Sequence, residues 1–371
     1  MKVKIGDITK IKTGKLDANA SSEDGEYPFF TCSKEPLRIS TYSYDCECVL
    51  VAGNGDLNVK YYNGKFDAYQ RTYIIEDNSD GRLFMPYLYY FMEGYVEELR
   101  KQAIGGVIKY IKLGNLTDAM IELPDVEIQK KIVNILSKTK GVLDSRRHQI
   151  DMLDNLIKAR FVEMFGDARK NPNKYDTVSF IDIVEYMGDI GSNGANKVVV
   201  DHLDMKDKED YAMMVRFTNF TKNDFTDDVK YVSKEAYDFF KKSQIFGGEL
   251  IICKIGSAGQ NYVMPYLNRP VSLGLNQIMV RIKDNILMPY LYQYLHTDYG
   301  EFLISGCING AVTKTITKTE LKKIPVMLPP IELQREFVAF VEQVDKSKVV
   351  VQKAFDETQM LYDSLLQEFF G

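Results

Sequence analysis

The residue types that most often carry catalysis occur in this 371-residue chain without the partners catalysis needs. Methylation of a base amine would require Asn or Asp followed by Pro-Pro and an aromatic. Asn171-Pro172-Asn173 does not match, and Pro329-Pro330 lacks both the preceding carboxamide and the aromatic. A Gly-x-x-x-x-Gly-Lys-Ser/Thr phosphate loop fails at Gly191-Ser192-Asn193-Gly194-Ala195-Asn196-Lys197, where the spacing is wrong and no hydroxyl follows the lysine. Metal-assisted phosphodiester hydrolysis would join an Asp to a later Asp/Glu-x-Lys. Asp204-Met205-Lys206 and Asp228-Val229-Lys230 supply only the last part. The histidines His148, His202 and His296 are too dispersed for a metal cluster, and Cys46-Glu47-Cys48 has neither zinc nor redox spacing. The expectation is a chain with no catalytic residue, no metal and no directly bound cofactor.

Binding remains, and charge limits its kind. Lys and Arg number 47 against 52 Asp and Glu, a formal charge of −5, which argues against a generic, highly basic nucleic-acid binder. With 45% apolar and 27% charged residues the chain reads as an ordinary globular protein. No apolar run approaches the roughly 18 residues of a membrane span. The opening Met1-Lys2-Val3-Lys4-Ile5-Gly6-Asp7 lacks a signal peptide's apolar core, and the five cysteines are scattered, so a cytoplasmic location is expected.

The elements that would position a binding site come in duplicate. A shift of 205 aligns residues 105–166 with 310–371 without a gap, and fifteen of the 62 positions are identical. About four identities would arise by chance at roughly 6% per position. They include Gly105/Gly310, Val107/Val312, Lys109/Lys314, Leu123-Pro124/Leu328-Pro329, Gln129/Gln334 and Phe165-Gly166/Phe370-Gly371. Upstream, Met85-Pro86-Tyr87-Leu88-Tyr89 returns as Met288-Pro289-Tyr290-Leu291-Tyr292, and Val3–Ile8 is echoed by Val178–Ile183. The chain is two copies of one unit, a globular module followed by a helix. Cys48–Val51, Arg71–Ile75, Leu250–Cys253 and Gln277–Ile282 read as strands, and Met85–Arg100 and Met288–Ile304 as helices.

After each Leu-Pro comes a run of about forty residues with apolar positions at three-, four- and seven-residue spacing. Ile132, Leu136, Leu143, Ile150, Leu153 and Ile157 form one stripe; Phe337, Val341, Val344, Val351, Phe355 and Tyr362 form the other. At 1.5 Å per residue each helix would span about 60 Å, too long for one small module to bury, so the two are expected to pair. Residues 125–170 carry a net +3 and residues 330–371 a net −4, which favours pairing between copies. If the pairing is antiparallel, Gly371 returns near Met1 and the modules sit at opposite ends of a spacer that works as a ruler. Gly141 marks a weak spot or kink in the first helix. The fold class expected is α+β: two duplicated α/β domains separated by two long helices that pair as an antiparallel coiled coil. The boundaries are 1–124 and 171–329 for the domains, and 125–170 and 330–371 for the helical regions.

Along essentially its whole length this arrangement resembles the specificity (S) subunit of type I restriction-modification systems. The marks are Val3-Lys4-Ile5-Gly6-Asp7-Ile8, the strand end Leu250–Gly259, Ile121-Glu122-Leu123-Pro124 with Glu127-Ile128-Gln129, Val326-Met327-Leu328-Pro329-Pro330 with Glu332-Leu333-Gln334, and Phe161–Gly166. The second module departs from the pattern at Ile181, where the first has Gly6. The resemblance implies a non-catalytic subunit whose two target recognition domains each read half of a bipartite double-stranded DNA target. Two methyltransferase (M) subunits would dock on the helical spacer and bring S-adenosylmethionine; restriction (R) subunits would bring ATP- and magnesium-dependent activity. No membrane partner is implied.

Candidate DNA contacts are polar and basic residues on glycine-rich loops after strands, where backbone can approach phosphate and side chains can reach base edges. In the first module these are Lys12, Thr13, Lys15, Asn54, Tyr61, Tyr62, Gln70, Arg71, Gln102 and Lys109. In the second they are Lys254, Ser257, Gln260, Asn261, Asn276, Gln277, Asn309 and Lys314. Lys109 and Lys314 share a position, which cannot encode two different half-targets, so they fit folding or phosphate contact. Base reading belongs where the copies diverge, as in 12–70 and 186–277. The domains carry net charges of −3 and −1, so the lone chain should bind DNA weakly. Two other readings stay open: a duplicated coiled-coil adaptor that binds proteins, and the recognition half of a fused restriction enzyme.

Overall fold

A computed structural model of the chain describes residues 2–371. They fall into two compact units: the chain up to Ile150 together with Val350–Gly371, and Asp151–Val349. Met1, expected near Gly371, lies outside the described residues.

The first unit holds strands β1 Lys2–Lys4, β2 Thr9–Thr13, β3 Tyr27–Phe30, β4 Leu37–Ile39, β5 Tyr44–Ala52, β6 Val59–Ala68, β7 Thr72–Asp77 and β8 Met120–Glu122. Six of them form one sheet in the order β2-β7-β5-β6-β3-β4, and β1 pairs with β8. The apolar run Cys48–Val51 is continuous because both faces of β5 are covered. Val49 and Val51 pack with Ile75 and helix α1, Met85–Gln102, while Cys48 and Leu50 pack with Phe30, Phe66 and Ile74. Pro86 sits in the first turn of α1, where its missing N–H costs nothing.

The second unit holds β9 Asp176–Ser179, β10 Val184–Gly188, β11 Ala212–Val215, β12 Lys230–Val232, β13 Gln244–Ile245, β14 Leu250–Cys253, β15 Asn261–Val263, β16 Val271–Leu273, β17 Gln277–Ile282, β18 Ile308–Asn309, β19 Thr315–Ile316 and β20 Pro325–Leu328. Its sheet β10-β17-β14-β15 repeats the order β2-β7-β5-β6, and β9 pairs with β20 as β1 does with β8. The register repeats too: Val3 faces Ile121, and Val178 faces Val326. A second sheet, β12-β11-β16-β13, separates what the first unit keeps in one sheet: β11 runs antiparallel to β12 and parallel to β16 as β3 does to β4 and the end of β6, and β13 pairs with β16 as the start of β5 does with β6. The single helix expected over Met288–Ile304 is two, α2 Met288–Leu295 and α3 Asp298–Gly306. The break has a local cause: Thr297 caps α3 by accepting from the Gly300 N–H at 3.1 Å.

The two long helices, Val126–Phe165 and Ile331–Phe370, each run 40 residues, and the first passes Gly141 without interruption. They pair antiparallel. In the second unit Asp154 bonds Lys348 at 2.6 Å, Arg160 lies over Phe340, and Phe161 and Phe165 pack on Phe337. In the first unit Leu136 and Leu143 share a cluster with Phe355 and Tyr362, and Arg147 lies over Phe355. Among the described residues the one ion pair between the helices, Asp154–Lys348, runs against the helices' net charges. The basic side chains Arg147 and Arg160 of the first helix lie on aromatic faces of the second.

Candidate nucleic-acid interface

Backbone hydrogen bonds collect one set of loops at the same end of each sheet. In the first unit Gly53 N–H donates to Arg71 O at 2.8 Å, Gly55 N–H to Lys109 O at 3.0 Å, Ile111 N–H to Gly53 O at 2.9 Å, and Gly14 N–H to Thr72 O at 3.0 Å. In the second unit Lys254 N–H donates to Asn276 O at 2.7 Å, Gly256 N–H to Lys314 O at 3.2 Å and Ile316 N–H to Lys254 O at 3.0 Å. The duplication therefore extends to individual bonds. A hairpin, residues 104–110 in one copy and 308–316 in the other, is tied to the loop after the central strand β5 or β14.

These rims gather most of the candidate contacts. Thr13, Lys15, Gln70, Arg71 and Lys109 are exposed on the first, with Asn54 half-buried among them. Lys15, Arg71 and Lys109 enter no ion pair among the described residues, and Gln70 bonds Asp17 at 2.9 Å. On the second rim Ser257, Gln260, Asn276, Asn309 and Lys314 are exposed, and Lys254 is half-buried. Free lysines and arginine suit phosphate, and exposed amides suit base edges.

Five candidates are held away from such contact, and one lies beside the rim rather than on it. Asn261 is 6% exposed and Gln277 1%; their amides donate to Gly259 O and Val215 O, so they brace the loops from inside. Lys12 is taken up by Glu76 and lies over the Tyr44 ring. Tyr62 packs on Phe30 and Phe66, and Gln102 is tied to Tyr95, Glu98 and Asn115. Tyr61 is exposed on β6, its hydroxyl on Glu47 at 2.7 Å.

Sequence reasoning missed Asp189. It follows β10 directly, where the first copy has Gly14, and it is nearly buried. Lys254 and Lys318 each donate to it at 2.9 Å, and Ser192 Oγ donates at 2.9 Å. Burial alone would raise this carboxyl, but the bonds from Lys318, Lys254 and Ser192 outweigh it and hold the pKa at about 2. One buried carboxylate thus gathers Lys254, a rim candidate, and Lys318, and the three side chains together carry a net positive charge. No pattern in the sequence joins residues 189, 254 and 318.

A second set of residues docks the long helices. Gln129 and Gln334 are fully buried. Gln129 accepts from Phe84 N–H at 2.8 Å and donates to Arg82 O and Pro124 O; Gln334 accepts from Leu287 N–H at 2.9 Å and donates to Asn285 O and Pro329 O. Each glutamine fastens the start of a long helix to the entry of α1 or α2. At the other ends, Phe370 packs on Tyr87 at 5.1 Å and Phe165 on Tyr290 at 4.9 Å. In the first unit Glu93 of α1 also accepts from Tyr362 at 2.5 Å and pairs with Lys140; burial, together with the Glu93 charge, pushes the Tyr362 hydroxyl up. All twelve expected pairing residues are buried or half-buried. The outer faces keep exposed apolar residues: Ile128, Ile135, Val142, Val350, Met360 and Leu361 in the first unit, and Leu156, Val162 and Val349 in the second.

Comparison with known proteins agrees with this architecture. The family model described as "Type I restriction modification DNA specificity domain" matches residues 1–152 and 183–354. The specificity subunit of the type I restriction enzyme EcoDI from Escherichia coli is 26% identical over 99% of this chain and 87% of its own length. The crystal structure of a type I restriction-modification S subunit from M. genitalium superposes with a TM-score of 0.57 at 16% identity, covering 100% of this chain and 96% of that one, and so shares its fold. No helix among the described residues is long and apolar enough to cross a membrane. With more than half its length matched in two successive copies, the chain belongs to the type I restriction-modification DNA specificity family.

Proposed function

We propose that the chain is the non-catalytic specificity subunit of a cytoplasmic type I restriction-modification complex, and that each module reads one half of a bipartite double-stranded DNA target. Residues 1–124 and 171–329 form the recognition domains, and 125–170 and 330–371 the helical spacer. The observation that carries this reading is the pair of equivalent loop rims, one per module, built on the same hydrogen bonds but lined by different side chains. A common frame with different lining is what two modules need if they read different half-sites. The exposed apolar residues on the outer helix faces support docking of methyltransferase subunits, which would hold S-adenosylmethionine; restriction subunits would bring ATP and magnesium. Sequencing methylated adenines in cells with and without the gene tests the reading. A split motif that disappears with the gene is expected; an unchanged pattern, or a continuous motif, would overturn it.

A further inference from the structure

The two hairpins present a feature that base reading does not use. Val107 and Val312, equivalent under the 205-residue shift, are essentially fully exposed, more so than any other large apolar residue among the described ones. Each stands at a hairpin tip that is built rather than loose. Gly105 and Gly310 have φ of 120° and 99°, and a Cβ there would lie 2.5 Å from Ile108 O and 2.2 Å from Thr313 O, so the tight return needs glycine. Ile104 and Ile108 beside the first tip are exposed, but their counterparts Asn309 and Thr313 are polar. What the copies share is one apolar knob, not an apolar patch.

The surroundings favour a polyanion. Residues 99–117 and 302–319 contain no acidic residue, in modules that are acidic overall. Lys109, Lys112 and Lys314 on these segments form no ion pair among the described residues, and each hairpin is bonded to its candidate DNA rim through Gly55 or Gly256. Only the valine is an exposed apolar contact common to both tips, a smaller surface than a protein-docking patch presents.

We propose that Val107 and Val312 are sequence-independent DNA contacts: each tip lays its side chain against the sugar edges or an opened base step of a half-site while the neighbouring lysine holds phosphate. The inference rests on the DNA-reading function above. Being shared, the tips set affinity and local deformation of the duplex, and the divergent loops set sequence.

The test uses the full chain in complex with its methyltransferase subunits and two duplexes, one carrying the mapped methylation motif and one scrambled. Val107→Ser, Val312→Ser and the double variant should melt like wild type, because neither side chain is buried. Each serine should weaken binding about five- to tenfold on both duplexes without changing the salt dependence, and Val→Ile at either tip should keep wild-type affinity. Lys109→Gln, by contrast, should lower the salt slope by about one. Unchanged affinity of the serine variants, a loss confined to the motif duplex, or loss of methyltransferase co-purification instead of DNA binding would each overturn the proposal. A wild-type complex that does not distinguish the two duplexes would bring down the DNA-specificity reading itself.

Discussion

Asp189 shows how much one side chain can organise. Its carboxylate is stabilised by two lysines, so its folded pKa of about 2 lies below the ordinary aspartate range, and the protein gains stability above about pH 4 that is lost as pH falls through 2. Asp189→Asn removes that term and leaves Lys254 and Lys318 facing no charge. It should destabilise the chain by on the order of 2 kcal/mol at pH 7, with the gap to wild type closing as pH falls toward 2. Chemical denaturation at pH 7 and pH 3 measures this, and an equal gap at both would count against it. The individual rim residues were only partly legible in the sequence. Thr13, Lys15, Gln70, Arg71, Lys109 and Lys314 lie on or beside glycine-rich loops, and they are exposed. Asn261 and Gln277 met the same criterion, but they sit where the β14 ladder still continues, so the sheet buries them.

At the scale of elements, the duplication carried the most information. It placed the equivalent long helices because hydrophobic spacing and repeated Leu-Pro, Gln and Phe-Gly are local signals. The role of the repeated glutamine was not visible, since two of its three partners in each copy lie 45 to 49 residues upstream in loops that spacing does not locate. Gln129→Leu would strand the Phe84 N–H and two carbonyls in a buried site and should cost about 1–3 kcal/mol by urea titration; Gln334→Leu should act alike, and a change within 0.5 kcal/mol would deny both the fastening role. The outer helix face makes the opposite demand. Ile135 is exposed, so Ile135→Asp should leave the melting temperature unchanged yet reduce co-purification of the methyltransferase subunit at least several-fold. The contacts between the helices are apolar stripes and stacked arginines, and among the described residues their one ion pair, Asp154–Lys348, is opposite in sense to their net charges.

For the whole molecule, the acidic balance shapes how DNA is bound. Modules of net charge −3 and −1 offer little general attraction for phosphate, and the rims concentrate only a few free cations. A gel-shift titration at physiological salt should find weak binding by the lone chain and tight binding once methyltransferase subunits are added; tight, specific binding by the chain alone would refute this. The most direct test of the central claim, one half-target per module, is to substitute one rim at a time and sequence methylated adenines in cells. Asn54→Ala with Arg71→Ala should relax one half of the split motif and leave the other intact, and Gln260→Ala with Asn276→Ala should relax the other half. If both halves change together under either pair, the two modules do not read separately.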